Sequence, residues 1–118
     1  MSSLTRRLPA AELEQLQLEA KFFRGLGDPT RLKILELLLK RERTVTQLVE
    51  RLGVPQGRVS SHLACLGWCG YVTATRRGRN RYYRVVDKRV QRILEMARAM
   101  VADNAEHIWA CTRIDRSR

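Results

Sequence analysis

Residues 44–70 read TVTQLVERLGVPQGRVSSHLACLGWCG, a pattern that predicts two short helices joined by a glycine turn. Thr44 or Thr46 can cap the first helix, and Gly53 ends it because glycine readily adopts the left-handed conformation of helix C-termini. The second helix is expected over about residues 55–68. The expected buried faces are Val45, Leu48, Val49 and Leu52 in the first helix and Val59, Leu63 and Leu66 in the second.

Two more helices are predicted on the N-terminal side of this pair. The first covers about residues 10–24 and carries one apolar stripe, and glycines at positions 25 and 27 end it. The second begins at Asp28 and Pro29, because aspartate can accept hydrogen bonds from free amides and a proline at the first helical position has no amide to satisfy. The apolar positions are Leu13, Leu16, Ala20 and Phe23 in the first helix and Leu32, Ile34, Leu35, Leu38 and Leu39 in the second.

On the C-terminal side, two β-prone runs at residues 71–75 and 82–86 flank the segment 76–81, which predicts a β-hairpin. From Asp87 onward the apolar spacing returns to steps of three and four, as in a long helix that packs against another helix. We expect this helix to pack against a second subunit and so to make the protein a dimer. Its predicted seam consists of Val90, Leu94, Ala97, Val101, Asn104, Ile108 and Cys111.

The order of these elements resembles a winged helix-turn-helix domain, which is mainly α with a small β-hairpin, here with N- and C-terminal dimerisation helices. We expect this domain to cover residues 10–111. Residues 1–9 and 112–118 lack such a pattern and are expected to be a flexible N-terminus and a flexible tail. A length of 118 residues is enough for one domain of this kind.

The composition indicates a polyanionic partner. The chain has 23 Lys and Arg residues against 12 Asp and Glu residues, a net charge of +11, and such an excess attracts nucleic acid or anionic lipid. No apolar run approaches the ~20 residues that span a bilayer, so nucleic acid is favoured and no membrane association is expected. The sequence shows no apolar segment of signal-peptide length, and its 3 Cys argue against a disulfide framework. We therefore expect a cytoplasmic protein with reduced thiols.

The second helix of the predicted helix-turn-helix carries side chains suited to double-stranded DNA. In this motif the N-terminal part of that helix enters the major groove. Gln and Arg can form bidentate contacts with adenine and guanine, and Ser can contact bases or phosphates. Each residue alone could instead cap or solvate the helix, but the cluster favours DNA binding. The candidates are Gln56, Arg58, Ser60 and Ser61.

The predicted hairpin concentrates positive charge around Gly78. Four arginines in six residues can approach a phosphate strand or enter the minor groove, although a basic turn can also simply be solvated. Phosphate contacts of this kind position a protein on DNA without specifying the sequence. The candidate wing residues are Arg76, Arg77, Arg79 and Arg81.

Two pairs of candidate metal ligands are spaced by four positions. Cys65 and Cys69 lie at the end of the predicted DNA-reading helix, and His107 and Cys111 lie near the end of the long helix. Residues four apart share one helix face and can reach a single ion, and thiolates favour soft metals. The same cysteines could equally be packing residues. His62 is expected to form a local hydrogen bond or to face phosphate rather than to bind metal.

Three motifs occur together in this chain: DPTRLKIL at residues 28–35, VSSHL at residues 59–63, and Gly78-Arg79 followed by Tyr82-Tyr83 in the hairpin. Their combination resembles the ArsR/SmtB family of metal-responsive bacterial repressors. The likeness runs from about Leu16 to Cys111. It implies a winged helix-turn-helix dimer that binds operator DNA.

Within that family, CLGWCG at residues 65–70 is similar to the Cys-Leu-x-x-Cys-Gly element of the cadmium- and lead-sensing actinobacterial branch. This resemblance implies that both cysteines bind metal and that a C-terminal cysteine, here Cys111, completes the site from the other subunit. Residues 45–47 lack the Cys-x-Cys element of another family site, and no pair of histidines matches the zinc-sensing last helix. Trp68 and His107 depart from the pattern, and a related mercury-sensing repressor could use the same thiols.

These features predict a non-enzymatic, homodimeric repressor that binds operator DNA when metal-free and is released by Hg(II), Cd(II) or Pb(II). The expected ligands are Cys65, Cys69 and Cys111, with His107 as an added or replacement ligand. No organic cofactor is expected, because the sequence has no cofactor motif, acid/base pair or triad at useful spacing. Two other hypotheses keep the same fold: a redox-responsive repressor that forms a disulfide from these cysteines, and a DNA-binding protein with structural thiols only.

Overall fold

The computed structural model describes residues 7–111. The chain divides into two compact units, of which the first ends at Val86 and the second begins at Asp87. The predictions of flexible ends at residues 1–9 and 112–118 lie outside the described residues, apart from residues 7–9. The first unit contains α1 (Ala10–Leu26), α2 (Pro29–Lys40), α3 (Val45–Leu52), α4 (Gln56–Trp68), β1 (Val72–Arg77) and β2 (Asn80–Val85), and the second unit contains α5 (Arg89–Ala110).

The predicted starts of α2 and α3 are confirmed. Asp28 caps α2 by accepting a hydrogen bond from the amide of Arg31 at 3.1 Å, and Pro29 follows as the first helical residue. Thr44 caps α3 and forms a capping box with Gln47. These side chains satisfy amides that have no partner within their helices.

The turn between α3 and α4 begins with a left-handed glycine, as predicted. Gly53 has a φ of +66° at the C-cap of α3, and α4 begins at Gln56. Helix α1, by contrast, continues to Leu26, beyond its predicted end, since Gly25 lies inside its last turn and Gly27 is its C-cap. The sequence α3, turn, α4 is the predicted helix-turn-helix.

The core of the first unit joins α2, α3 and α4. The predicted inward residues of α4 are all buried, and in α3 Leu48 is fully buried while the other predicted apolar residues are half-buried. Burial of one such large apolar side chain stabilises the fold by roughly 1.5–3 kcal/mol. The core residues with the least exposure are Ile34, Leu35, Leu48, Val59, Leu63, Leu66 and Tyr71.

The hairpin has longer strands and a shorter turn than predicted. Strands β1 and β2 pair antiparallel along their whole length, which leaves Gly78 and Arg79 as the turn. The predicted separation of the strands by residues 76–81 was therefore wrong. Gly78 adopts a φ of +64°, and this conformation permits a tight turn, so the ladder continues almost to the tip.

One further piece of backbone joins the hairpin. Arg43 forms an isolated antiparallel bridge with Tyr83 through two backbone hydrogen bonds of 3.1 and 2.8 Å. The Arg43 side chain is 3% exposed, and its Nε donates to the carbonyl of Leu37 in the last turn of α2. A basic residue thus satisfies a carbonyl at the helix C-terminus and fixes the hairpin to the end of α2.

Helix α5 carries the predicted seam, but the helix is bent. At Asn104 the backbone leaves the helical region, with φ −126° and ψ 18°, and the Asn104 side chain donates to the carbonyl of Met100 at 2.9 Å. Val90 and Leu94 at the start of the seam are buried. The later positions that are exposed in the single chain are Ala97, Val101, Asn104 and Ile108. No helix within residues 7–111 has the length and apolar character needed to cross a membrane.

Candidate functional site

Helix α4 presents one face to the core and the opposite face to solvent. Val59, Leu63 and Leu66 are buried at steps of four and three. The side chains predicted to read DNA are all exposed, and within the described residues they form no hydrogen bond or ion pair with the rest of the chain. These side chains are Gln56, Arg58, Ser60 and Ser61. Their amide, guanidinium and hydroxyl groups are available to an external partner.

The first turn of α4 is electrostatically positive. Its N-cap is Pro55, no side chain of the described part of the chain caps the helix, and the first turn carries no acidic residue. The free amides and the positive end of the helix dipole are therefore not compensated by α4 itself. Such helix ends attract phosphate groups, and the charge of Arg58 adds to this attraction.

The arginines of the hairpin differ in their surroundings. Arg77 forms an ion pair with Glu42, and its guanidinium lies 4.1 Å from the centre of the Tyr82 ring. The hydrogen bond to Glu42 raises the pKa of Arg77, and the pair ties the hairpin to the connection between α2 and α3. The other candidate wing residues are exposed and have no such partner among residues 7–111: Arg76, Arg79 and Arg81.

Cys65 and Cys69 lie together at the C-terminal end of α4. Cys69 is the C-cap residue, and its amide donates to the carbonyl of Cys65 at 3.1 Å. Both are free thiols and half-buried. Burial raises the pKa of Cys69 and the neighbouring Cys65 raises it further, while the charges of Lys21 and Arg31 oppose this shift. The Cys69 thiol therefore keeps its proton at neutral pH, and metal binding would release that proton.

The backbone after α4 holds Cys69 in place. Gly70 has a φ of +81°, and its amide donates to the carbonyl of Gly67 at 3.1 Å. The Tyr71 amide donates to the carbonyl of Leu66 at 2.9 Å. These two bonds form a Schellman motif, which closes the helix with glycine in the left-handed position. The C-terminal end of α4 is thus restrained, whereas its first turn is open.

Cys69 packs against the last turn of α1. A Cβ atom placed on Gly25 would lie 3.3 Å from Sγ of Cys69 and 3.0 Å from Cε2 of Tyr71, so a larger residue would displace one of them. Tyr71 is buried, and its hydroxyl donates to the carbonyl of Phe22. The end of α1 therefore forms one wall beside the thiol pair.

The other predicted metal ligands lie in the second unit. Cys111 is the half-buried C-cap of α5, and His107 is exposed in the last turn of that helix. In the part of the chain from residue 7 to residue 111, no three Cys, His, Asp or Glu side chains form a group that could hold an ion. The structure brings Cys65 and Cys69 together, and the roles of Cys111 and His107 stay predictions.

The predicted local hydrogen bond of His62 is replaced by contacts with the start of α2. Its Nδ1 lies 3.2 Å from Nη1 of Arg31, and its Nε2 lies 3.8 Å from the carboxylate of Asp28. Sequence reasoning identified Asp28 as a helix cap but missed Arg31, which meets His62 across 31 positions of sequence. The DPTR motif at residues 28–31 was the signal that could have indicated a special role for this arginine.

Comparison with known proteins agrees with the motifs and the fold. Residues 28–74 match the family profile described as bacterial regulatory protein, arsR family. A probable mercury resistance operon repressor from Streptomyces lividans is 52% identical over 95 residues, which cover 80% of this chain and 76% of that protein. The chain belongs to the ArsR family. The family resemblance noted from the sequence motifs is thereby confirmed.

Further likenesses are found among transcriptional regulators and solved structures. The HTH-type transcriptional regulator CmtR from Mycobacterium bovis is 40% identical over 84 residues, which cover 70% of this chain and 71% of that protein. The crystal structure of Rv0081 from M. tuberculosis matches with a TM-score of 0.74 and 32% identity, covering 81% of this chain and 97% of that chain.

A second solved structure is described as a winged helix-turn-helix domain. The homodimeric winged helix-turn-helix DNA-binding domain of Mb0332 from M. bovis matches with a TM-score of 0.72 and 29% identity, covering 88% of this chain and 92% of that chain. The winged helix-turn-helix prediction is confirmed. As an ArsR-family member with this fold, the chain is a transcriptional regulator and not an enzyme.

Proposed function

We propose that this ArsR-family protein is a homodimeric repressor that binds operator DNA when metal-free and is released by a thiophilic ion. The proposed ions are Hg(II), Cd(II) and Pb(II). The proposed ligands are Cys65, Cys69 and Cys111, with His107 as an added or replacement ligand. The observation that carries the proposal is that two half-buried thiols end the same helix whose first turns expose the DNA-reading side chains.

The donor set supports a soft ion. Two thiols on one helix end suit ions that prefer sulfur, and they are poor ligands for Mg(II) or Mn(II). Two or three thiolates are enough for Hg(II), so Cys65 and Cys69 would form the centre of the site and Cys111 would complete it. Mercury is the first ion to test, because the S. lividans relative is named as a mercury resistance operon repressor.

The exposed apolar surface supports a dimer. Large apolar side chains on α1 and α5 are exposed in the single chain, and Phe23 and Trp109 are 62% and 87% exposed. Apolar surface of this extent is typical of an interface with another protein. A homodimer would place two α4 helices about 34 Å apart for successive major grooves, and it would let Cys111 reach the thiol pair of the other subunit.

The position of Cys69 suggests how release would occur. Its sulfur lies between the restrained end of α4 and the last turn of α1. A movement of this sulfur toward a further ligand would shift the end of α4, and the base-reading side chains at the other end would then lose register with the DNA. Coupling of this kind is reciprocal, so bound DNA would weaken metal binding by the same factor.

The experiment that tests the proposal uses a DNA duplex selected from a random-sequence pool by the metal-free protein. Binding of this selected duplex is titrated with Hg(II), Cd(II), Pb(II) and Zn(II) for the native chain and for Cys65→Ser, Cys69→Ser and Cys111→Ser. We expect metal-induced release from the native chain and loss of release in the variants, with metal-free affinity retained. Release of all three variants at the native metal concentration would overturn the site.

The two tryptophans provide a second readout of the proposed site. Trp68 is 91% exposed beside Cys69, and Trp109 lies close to Cys111 in sequence. Heavy ions quench nearby indole fluorescence, so Trp68→Phe and Trp109→Phe would report on the two halves of the site separately. Quenching of both signals with one midpoint is expected if Cys111 shares the ion with Cys65 and Cys69.

A redox-responsive repressor is the second candidate, because two free thiols lie next to each other on α4. Oxidation would join two of the cysteines in a disulfide, with a thiol oxidant taking up the two electrons and two protons. Release of the duplex by diamide without metal, and its reversal by dithiothreitol, would favour this candidate. A protein with structural thiols only would keep its duplex under both treatments.

A further inference from the structure

A hydrogen-bond hub around Arg31 joins α1, α2 and α4. The Nε of Arg31 donates to the carbonyl of Gly25 at 2.8 Å, and its Nη2 donates to the carbonyl of Arg24 at 3.1 Å. Its Nη1 lies 3.2 Å from Nδ1 of His62, in the middle of α4. Because Arg31 itself belongs to α2, three helices meet at one guanidinium.

The chemistry of this hub requires an arginine. The carbonyls of Arg24 and Gly25 belong to the last turn of α1, which carries the negative end of the helix dipole, and the Arg24 carbonyl also accepts from the Gly27 amide at 3.1 Å. Arginine presents five donors in a rigid fork, whereas lysine presents one mobile ammonium. Since arginine has no acceptor, His62 accepts at Nδ1 and carries its proton on Nε2, which faces the carboxylate of Asp28 at 3.8 Å.

The same turn of α1 lies against Cys69. Gly25, whose carbonyl Arg31 holds, is also the residue against which Sγ of Cys69 packs. The Tyr71 hydroxyl binds the carbonyl of Phe22 in this turn, so the α1 end has little room to move independently of Cys69. The charge of Arg31 also acts on Cys69, where it opposes the rise in the pKa of the thiol.

We propose that Arg31 is a positioning residue that passes a displacement of Cys69 to the middle of the DNA-reading helix. The route consists of three contacts: Cys69 against Gly25, the Gly25 carbonyl with Arg31, and Arg31 with His62. It enters α4 beside Ser61, so a shift of the α1 end would tilt the base-reading face as well as the helix end. This inference rests on the proposed metal response of Cys69.

The test measures the coupling itself. The Kd of the selected duplex is determined with and without saturating Hg(II), and the ratio of the two values reports the coupling, which in allosteric proteins is commonly about 5–150-fold. In Arg31→Lys, which keeps the charge but loses the fork, we expect the ratio to fall towards one. The Hg(II) stoichiometry is expected to stay native. A merely structural role would lower the unfolding temperature and leave the ratio unchanged.

A pair of His62 variants tests the other end of the route and decides the question if Arg31→Lys does not fold. His62→Leu removes the acceptor for Arg31, whereas His62→Gln retains an oxygen that can accept. In His62→Leu we expect the ratio of the two duplex Kd values to fall towards one. In His62→Gln we expect the ratio to recover in large part. Lys21→Gln is the matched control, because Lys21 also acts on the charge of Cys69 but lies outside the hub. Its ratio is expected to stay native.

The outcomes separate the two proposals. A native chain whose duplex affinity ignores Hg(II) would overturn the proposed function and this inference together. If Hg(II) weakens duplex binding by the same factor in the native chain and in folded Arg31→Lys and His62→Leu, the role of Arg31 is overturned and the proposed function stands. Loss of the ratio in these two variants, with native Hg(II) stoichiometry and a native ratio in Lys21→Gln, would support the route through Arg31.

Discussion

The two ends of α4 differ in exposure, charge and backbone restraint. The first turns expose polar side chains and uncapped amides, and they have no acidic residue to repel a polyanion. The last turn holds two half-buried thiols and is closed by a Schellman motif. DNA reading needs an open, positive surface, whereas a soft-metal site needs thiols held in fixed positions. Helix α4 has 13 residues and Cys69 as its C-cap, and the proposed function requires that a movement at the thiol-bearing end reach the open first turn.

The largest expected effects come from one substitution at each end of α4. Cys69→Ser is expected to abolish an Hg(II) response of about 5–150-fold in duplex affinity while leaving metal-free binding intact. Arg58→Ala is expected to weaken duplex binding by about 1–3 kcal/mol and to leave Hg(II) affinity of the free protein unchanged. Fluorescence anisotropy of the duplex and a metal titration measure the two quantities. A change of both quantities in both variants would show that the ends are not separate sites.

The backbone difference between the ends predicts opposite effects of one substitution. Gly70→Ala places a Cβ at a φ of +81° and is expected to destabilise the fold by about 1–2 kcal/mol. A Cβ atom on Gly57 in the first turn would meet no atom of residues 7–111 within 4 Å, so Gly57→Ala is expected to stabilise the fold by about 0.5–1 kcal/mol. Urea unfolding gives both values. A change in the free energy of unfolding with the same sign in both variants would contradict the contrast between a restrained C-terminal end and an open first turn.

The thiols at the C-terminal end of α4 make metal binding dependent on pH in the proposed site. Because burial and Cys65 raise the pKa of Cys69, this thiol is protonated at neutral pH and would release its proton on binding a metal ion, as the proposed function requires. Apparent Cd(II) affinity is therefore expected to rise with pH, by about tenfold per unit for each proton released, up to the pKa of the thiol. Competition with a chelator of known affinity measures this slope. A flat profile would mean that Cys69 is not a ligand.

The smallest expected effect concerns the wing. Arg79→Ala is expected to lower the slope of log affinity against log salt concentration by about 1, because one phosphate contact is lost. Arg77→Ala is the matched control, since Arg77 is already paired with Glu42 and stacked on Tyr82. Its slope is expected to stay native, with only a loss of stability. Identical slopes for Arg79→Ala and the native chain would remove the wing from the interface.

Most of the fold could be predicted because its signals are local. Asp28, Thr44 and Gly53 act within one turn of helix, and apolar spacing marks the buried face of α4. The bridge between Arg43 and Tyr83 could not be predicted, because it depends on tertiary packing between distant segments. The bend at Asn104 was missed for a related reason, since asparagine fits the seam spacing while its side chain competes for a backbone carbonyl.

The candidate site was predictable only in part. The spacing of Cys65 and Cys69 placed both on one helix end, and the exposed face of α4 followed from its buried face. The contact of Cys69 with Gly25 and the hub at Arg31 join residues far apart in sequence, so no periodic pattern indicates them. Val101 and Ile108 of α5 were expected in the seam, and both are exposed because a single chain does not contain a partner that would cover them. Met96, Met100 and Trp109 are exposed as well, and the predicted seam did not include them.

The most direct test of coupling between the two ends of α4 is the Hg(II) affinity of the native protein, measured free and bound to the selected duplex. Competition with a thiol chelator gives both affinities under the same buffer conditions. We expect a reciprocal coupling, in which the duplex weakens Hg(II) binding by the same factor by which Hg(II) weakens duplex binding. Equal Hg(II) affinity in the free and DNA-bound protein would contradict it.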